Sequence, residues 1–183
     1  MTDAAMVNSA EVDSSSNFYV VGPKKMLLLY FATFGMYKLY WVYKQWATYK
    51  RATNSDLWPV PRAIFSVFFT HALFEQVSLL IKHKRIDYRW NSQAAATTYV
   101  VATIGAALVS RLPRELVGAH GSFAILLGTL LVISPLLHNV QSAINVACEQ
   151  PGGVGNRRLT WLNYLWVALG AVFWFFSIAG FMR

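Results

Sequence analysis

The chain has 183 residues and a formal net charge of +8, but only 13% of its residues are charged and 56% are hydrophobic. Soluble domains carry about 25% charged residues, so there is too little charge here to clothe a water-facing surface, and the composition points to a membrane protein. The basic residues fall in short gaps between apolar runs, which sets aside a nucleic-acid-binding stripe and places the positive charge beside anionic headgroups instead.

Residues 1–17 (MTDAAMVNSAEVDSSSN) are polar and acidic and read as a disordered tail. They lack the basic start and early apolar core of a signal peptide. Pro23 suits a helix start, with Lys24 and Lys25 at the boundary. From Met26 to Tyr43 the only formal charge is Lys38. That run makes about 27 Å of helix, close to a hydrocarbon thickness. Trp41, Tyr43 and Trp46 form an aromatic belt at its end. A first span is therefore expected over 26–46.

Two prolines in WPVPR (58–62) break the chain before a second apolar segment, 61–82. It carries His71, Glu75 and Gln76 and ends in KHKRIDYRW (82–90), the most basic stretch of the chain. This pattern reads as an amphipathic helix that lies at the interface or re-enters from one side. A second span is expected over 94–112, rich in small residues, and a third over 121–140. The third continues into HNVQSAINVAC (138–148), where His138, Gln141 and Asn145 recur at helical spacing and read as solvated interfacial polarity. EQPGGVGNRR (149–158) reads as a flexible loop; its glycines lack the preceding strand and the Lys-Ser/Thr of a phosphate cradle. The last span, 159–182, is uncharged and tryptophan-rich. The expected fold is all-α: one polytopic transmembrane bundle over 18–183, with about four spans and one amphipathic helix.

Charge decides between topologies. If 61–82 spans, the lysines and arginines divide almost evenly between the two sides. If it stays on one face, the cytoplasmic set is Lys44, Lys50, Arg51, Arg62, Lys82, Lys84, Arg85, Arg89, Arg157 and Arg158, against Lys24, Lys25, Arg111, Arg114 and Arg183 outside. The second arrangement is favoured, with four spans and both termini outside. Its cytoplasmic set is also the candidate surface for anionic lipid or a partner protein.

Three polar groups lie inside apolar segments: Lys38, His71 and Glu75. Lys38 is close enough to the end of its span to snorkel. His71 and Glu75, four apart, share a helix face, and the wet side of an interfacial helix accounts for both. A polar path using all three is the alternative. Two groups on one helix are too few for a metal site, and Ser66, Ser110 and Ser134 have no acid–base partner nearby. Cys148, the only cysteine, reads as a packing residue. No catalytic residue, cofactor or metal is expected.

Three blocks carry a family likeness. Gly35, Tyr37, Tyr40, Trp41, Tyr43, Lys44 and Trp46 form a G-x-Y-x-x-Y-W-x-Y-K-x-W pattern; Arg62 to Phe65 give R-A-I/F-F; and Asn156, Trp161 and Asn163 give N-x-x-x-x-W-x-N. In order and spacing the chain resembles a family of small bacterial inner-membrane proteins known only as a domain of unknown function. The resemblance implies a helical fold in a bacterial cytoplasmic membrane and brings no activity or site residue. The expected function is a non-enzymatic membrane scaffold or accessory protein with a basic cytoplasmic face, binding anionic lipid, a membrane protein partner or a second copy of itself. The alternative is a small transporter or channel. A lipid-modifying enzyme has the least support.

Overall fold

The computed structural model describes residues 16–181. The tail expected over 1–17 lies outside the described residues except for its last two. The described chain is helical: α1 Pro23–Ala32, α2 Tyr37–Thr53, α3 Pro59–Ile64, α4 Ser66–His83, α5 Ser92–Val109, α6 Arg114–Ala147 and α7 Trp161–Phe181, with a single 3-10 turn at Val154–Asn156.

Three helices are long and apolar enough to cross a membrane: α5, the His120–Ala147 part of α6, and α7. Asn91 starts α5 by accepting the Ala94 N–H at 2.9 Å, which satisfies one of the orphan donors at a helix start. The helix α6 turns at Gly118, whose φ of 67° and ψ of −178° are not helical, and then continues as helix past Pro135. Consecutive members of this trio reverse direction. Val109 and Ser110 share a cavity wall with Val117 and Ser122, and the His120 ring meets Phe181 at 4.7 Å. At the opposite end Trp90 and Asn91 lie beside Leu136 and Val140.

The first span expected over 26–46 is corrected: it is two helices. The helix α1 ends in a Schellman motif, in which the Phe34 N–H donates to the Phe31 carbonyl and the Gly35 N–H to the Tyr30 carbonyl. Phe34 and Gly35 have φ of 53° and 85°. Glycine normally takes the first of these left-handed positions; here a phenylalanine holds it, stacked on Trp174 with ring centroids 4.5 Å apart. Thr33 serves both helices. Its hydroxyl donates to the Leu29 carbonyl and accepts the Tyr37 N–H that opens α2.

The two helices form a hairpin that enters and leaves the bundle at one end. Lys25, at the start of α1, reaches Asn156 in the loop before α7. Near the tip, the Trp174 indole donates to the Phe31 carbonyl. The return helix then brings Trp41 and Gln45 down to Gln141. Gly170 permits the crossing of α1 and α7, since a Cβ there would lie 2.1 Å from the Ala32 carbonyl oxygen.

The segment α4 packs along α5, and both its flanks are tied to that same end of the bundle. Arg62 lies over the Trp46 ring at 4.4 Å, and Lys84 pairs with Glu149 at 2.9 Å. The outer face of α4 carries Phe68, His71, Glu75 and Leu79; Thr70, Leu73, Phe74 and Val77 are buried. The single amphipathic helix expected over 61–82 is corrected: the segment is two helices, α3 and α4, broken at Phe65, and the outer face of α4 mixes apolar Phe68 and Leu79 with His71 and Glu75.

Residues 18–21 (FYVV) lie outside any helix and are buried, and they lead into Gly22, whose backbone is extended. No strand lies beside them among the described residues, yet a buried backbone must find partners. Side-chain amides supply them. Gln45 accepts the Tyr19 N–H and donates to the Tyr19 carbonyl, both at 3.0 Å. Asn145 donates to Val21 O and Asn156 to Val20 O, again at 3.0 Å. Gln141 donates to Asn145 Oδ1 at 2.7 Å and accepts the Trp41 indole N–H. Gln45, Gln141 and Asn145 are fully buried. The solvated reading of Gln141 and Asn145 is therefore corrected, while His138 is exposed as expected. The loop around GGVG is corrected as well. It is packed on this segment, and a Cβ at Gly153 (φ 64°) would lie 2.5 Å from Val21 O.

Candidate functional site

A cavity of about 450 Å³ opens where α1, the start of α2 and the loop before α7 converge. Its polar wall includes Tyr19, Lys25, Asn156, Thr160 and Asn163; its apolar wall includes Leu29, Met36, Leu162 and Trp166. The size falls in the range of small-molecule and cofactor sites.

Lys25 is the chemical centre of this wall. It is 7% exposed, because the helix start that presents it is pinned by the segment before it. Gly22 N–H donates to the Asn156 carbonyl at 3.1 Å. The Lys25 ammonium donates to Asn156 Oδ1 at 2.7 Å and to the Arg158 carbonyl at 2.8 Å. An ammonium has three hydrogens, so one remains. Among the described residues no carboxylate lines the cavity. Burial accordingly pulls the Lys25 ammonium below the usual lysine value. Asn163 accepts the Thr160 N–H at 3.0 Å, which sets the turn into α7.

The residues singled out from sequence are distributed as follows. Lys82, Arg85, Arg89 and Arg158 are exposed at the end of the bundle that holds the cavity, with Arg51 exposed and Lys50 half-buried in the last turn of α2. The other four of the set also carry structural contacts. Lys44 lies over the Tyr19 ring at 5.2 Å, and Arg62 faces both Trp46 and Phe69. Lys84 pairs with Glu149, and Arg157 donates to the Gly152 carbonyl at 2.9 Å.

Lys38, His71 and Glu75 are not brought together. The Lys38 ammonium sits 5.7 Å from the Tyr99 ring centroid, at the mouth of a second cavity of about 290 Å³ beside Thr103 and Thr129. His71 meets the Thr97 hydroxyl at 3.2 Å on the outer surface, and Glu75 is exposed on the same face. Among the described residues no ion pair joins Lys38 to Glu75.

Sequence reasoning treated Lys25 only as a boundary charge and missed Gln45. One usable signal was present. FYVVGP is a short β-branched and aromatic run closed by Gly-Pro, which reads as an extended segment rather than a helix start. An extended segment inside a helical bundle calls for amides such as Gln45, Gln141, Asn145 and Asn156. Comparison with protein-family models, with curated proteins and with solved structures gave no match.

Proposed function

We propose that the chain is a non-enzymatic, multi-pass scaffold or accessory protein of a bacterial cytoplasmic membrane, whose basic face engages anionic lipid. The observation that carries the reading is the distribution of charge around three alternating apolar helices. At the end holding the cavity lie Lys24, Lys25, Lys44, Lys50, Arg51, Arg62, Lys82, Lys84, Arg85, Arg89, Arg157 and Arg158. At the other end lie Arg111 and Arg114. An excess of this size marks the cytoplasmic side. The bacterial setting follows the family resemblance.

In this reading α5, α6 and α7 span, and the α1–α2 hairpin is re-entrant. Its tip reaches the level of Trp174, thirteen residues or about 20 Å along α7. The segment α4 rests at the cytoplasmic interface. The amino-terminal side of the hairpin and the loop before α7 then share the cytoplasmic face, and the apolar surface of α7 faces lipid. Supporting this, Trp161 and Phe175 are 74% and 68% exposed, a state that water would penalise at about 25 cal/mol per Å².

Two measurements test the reading. Single cysteines placed at 87 and 155, in a Cys148→Ala background, should label from the cytoplasmic side, and one at 112 from the opposite side. Labelling of 87 and 112 from the same side would overturn the topology. The protein in zwitterionic nanodiscs should tether anionic vesicles in a salt-sensitive way, and reversing the charges of exposed Lys82, Arg85 and Arg89 should abolish tethering. Unchanged tethering would remove the lipid-facing role.

A further inference from the structure

The cavity holding Lys25 has the features of a lipid site rather than a packing defect. Its cation is buried, has one hydrogen to spare and, among the described residues, faces a wall without carboxylates. An unneutralised buried charge is costly unless an anion joins it. The Asn163 side chain uses its oxygen on Thr160, leaving its amide nitrogen to donate, and the Thr160 hydroxyl stands on the same wall. Three donors of different kinds thus line the same cavity.

Apolar residues share the lining, and part of it is open to the outside. Met36, Leu162 and Trp166 line the cavity and are also exposed, so the space is continuous with the lipid-facing surface of α7. The polar donors sit just before the first apolar turns of that helix. Trp161, Tyr164 and Trp166 ring this level, as aromatic residues do at a headgroup boundary. Lys24, Arg157 and Arg158 are exposed and adjoin the lining residues Lys25 and Asn156 in sequence or in space, so the local charge suits an anion.

We propose that this cavity binds one anionic phospholipid from the cytoplasmic leaflet, its phosphate on Lys25, Thr160 and Asn163 and the upper part of an acyl chain along Leu29, Leu162 and Trp166. This deepens the reading above and rests on it for the identity of the leaflet. It differs from diffuse surface attraction in being a single site, formed by a buried group and shaped for a chain as well as a charge.

The test is native mass spectrometry of the full chain in detergent. The protein is first delipidated, then given phosphatidylglycerol or phosphatidylcholine of matched chains. One phosphatidylglycerol per chain should be retained at salt concentrations that remove vesicle tethering, and phosphatidylcholine should be retained about tenfold less or worse. Leu162→Trp fills the apolar wall without touching the Lys25 hydrogen bonds, and Lys25→Met removes the charge. Each should cut retention about tenfold. Reversing Lys82, Arg85 and Arg89 should leave retention unchanged while abolishing tethering, so the site and the basic face fail separately. Equal retention of the two lipids, wild-type retention by Leu162→Trp, or full displacement by millimolar inorganic phosphate would overturn the proposal. The last outcome would mark a free-phosphate site.

Discussion

Leu131 and Gln141 lie ten residues apart on one helix and are arranged in opposite ways. Leu131 is an apolar side chain turned outward; Gln141 is an amide with no exposed surface. Midway along α6, Leu131 and Val132 face outward beside buried Leu130 and Ile133, and the helix then buries Gln141 and Asn145 among polar partners. A stretch of 28 residues makes about 42 Å of helix, against a hydrocarbon core of about 30 Å. In the proposed topology the spanning part needs no polar core, since lipid would accept its outer surface. The projecting part meets water and must shield what it encloses. What it encloses is backbone, residues 18–21, and a side-chain amide, with a separate N–H donor and C=O acceptor, can both donate to and accept from a peptide unit. The polar end is thus a folded core in miniature, and the apolar end is held by lipid.

The strongest way to break this comparison is to remove the amide at its centre. Gln141→Ala takes away the acceptor of the Trp41 indole, and donors to Asn145 and Tyr19. Several buried groups lose a partner at once, each at about 1–3 kcal/mol, so a loss of about 3 kcal/mol or more is expected in denaturant-melting of the detergent-solubilised protein. A loss below about 1 kcal/mol would mean that the amides are solvated after all. Gly170→Val attacks the other region. Its side chain would collide with the Ala32 carbonyl and pry α7 from the hairpin, costing about 1–3 kcal/mol as overpacking does. Its signature is different: the Trp174 indole bond to Phe31 should be lost, visible as a red shift in tryptophan emission, while residues 18–21 stay docked.

Docking of 18–21 can be read through Cys148. Its thiol is buried, donates to the Phe18 carbonyl at 3.8 Å, and is pushed up from 9.0 by that burial. The thiolate is the reactive form, so maleimide labelling at pH 8 should run at least tenfold slower than for an unfolded chain, and Gln141→Ala should restore most of the rate. The sign of the pH effect follows. Above 9.0 the unfolded chain loses this proton first, so Cys148 makes stability fall as pH rises. Labelling at the unfolded rate in the native protein would show that the segment is not docked.

The two regions also differed in how far sequence could reach them. The apolar end was largely legible: uncharged runs give the helices of α5, α6 and α7, because length and apolarity are sufficient for a helix in lipid. The break at Phe34–Gly35 was not. No charge or proline marks it, and the glycine stands one position later than the usual left-handed site, its place taken by Phe34, which Trp174 holds. At the polar end, spacing put Gln141 and Asn145 on one face. Periodicity cannot say whether that face meets water or a buried peptide, and the peptide partners are 122 and 124 residues away in sequence. Lys25 was hidden for the same reason. Its neighbour Lys24 is exposed, and nothing local separates the two.

The smallest effect belongs to the contact that closes α4 onto α6. Lys84 and Glu149 meet at 2.9 Å, but the Glu149 side chain is 68% exposed. Water screens such a pair and ordering two flexible side chains offsets much of the attraction, leaving at most about 0.5 kcal/mol. Glu149→Gln should therefore leave melting unchanged within error at all salt concentrations. Glu149 also has a φ of 57°, and asparagine tolerates that region better than glutamine or glutamate. Glu149→Asn should then match or slightly exceed the stability of Glu149→Gln. If Glu149→Gln instead cost more than about 1 kcal/mol in a salt-dependent way, the pair would be shielded from water, and the end of α4 would be part of the closed polar core rather than its wet rim.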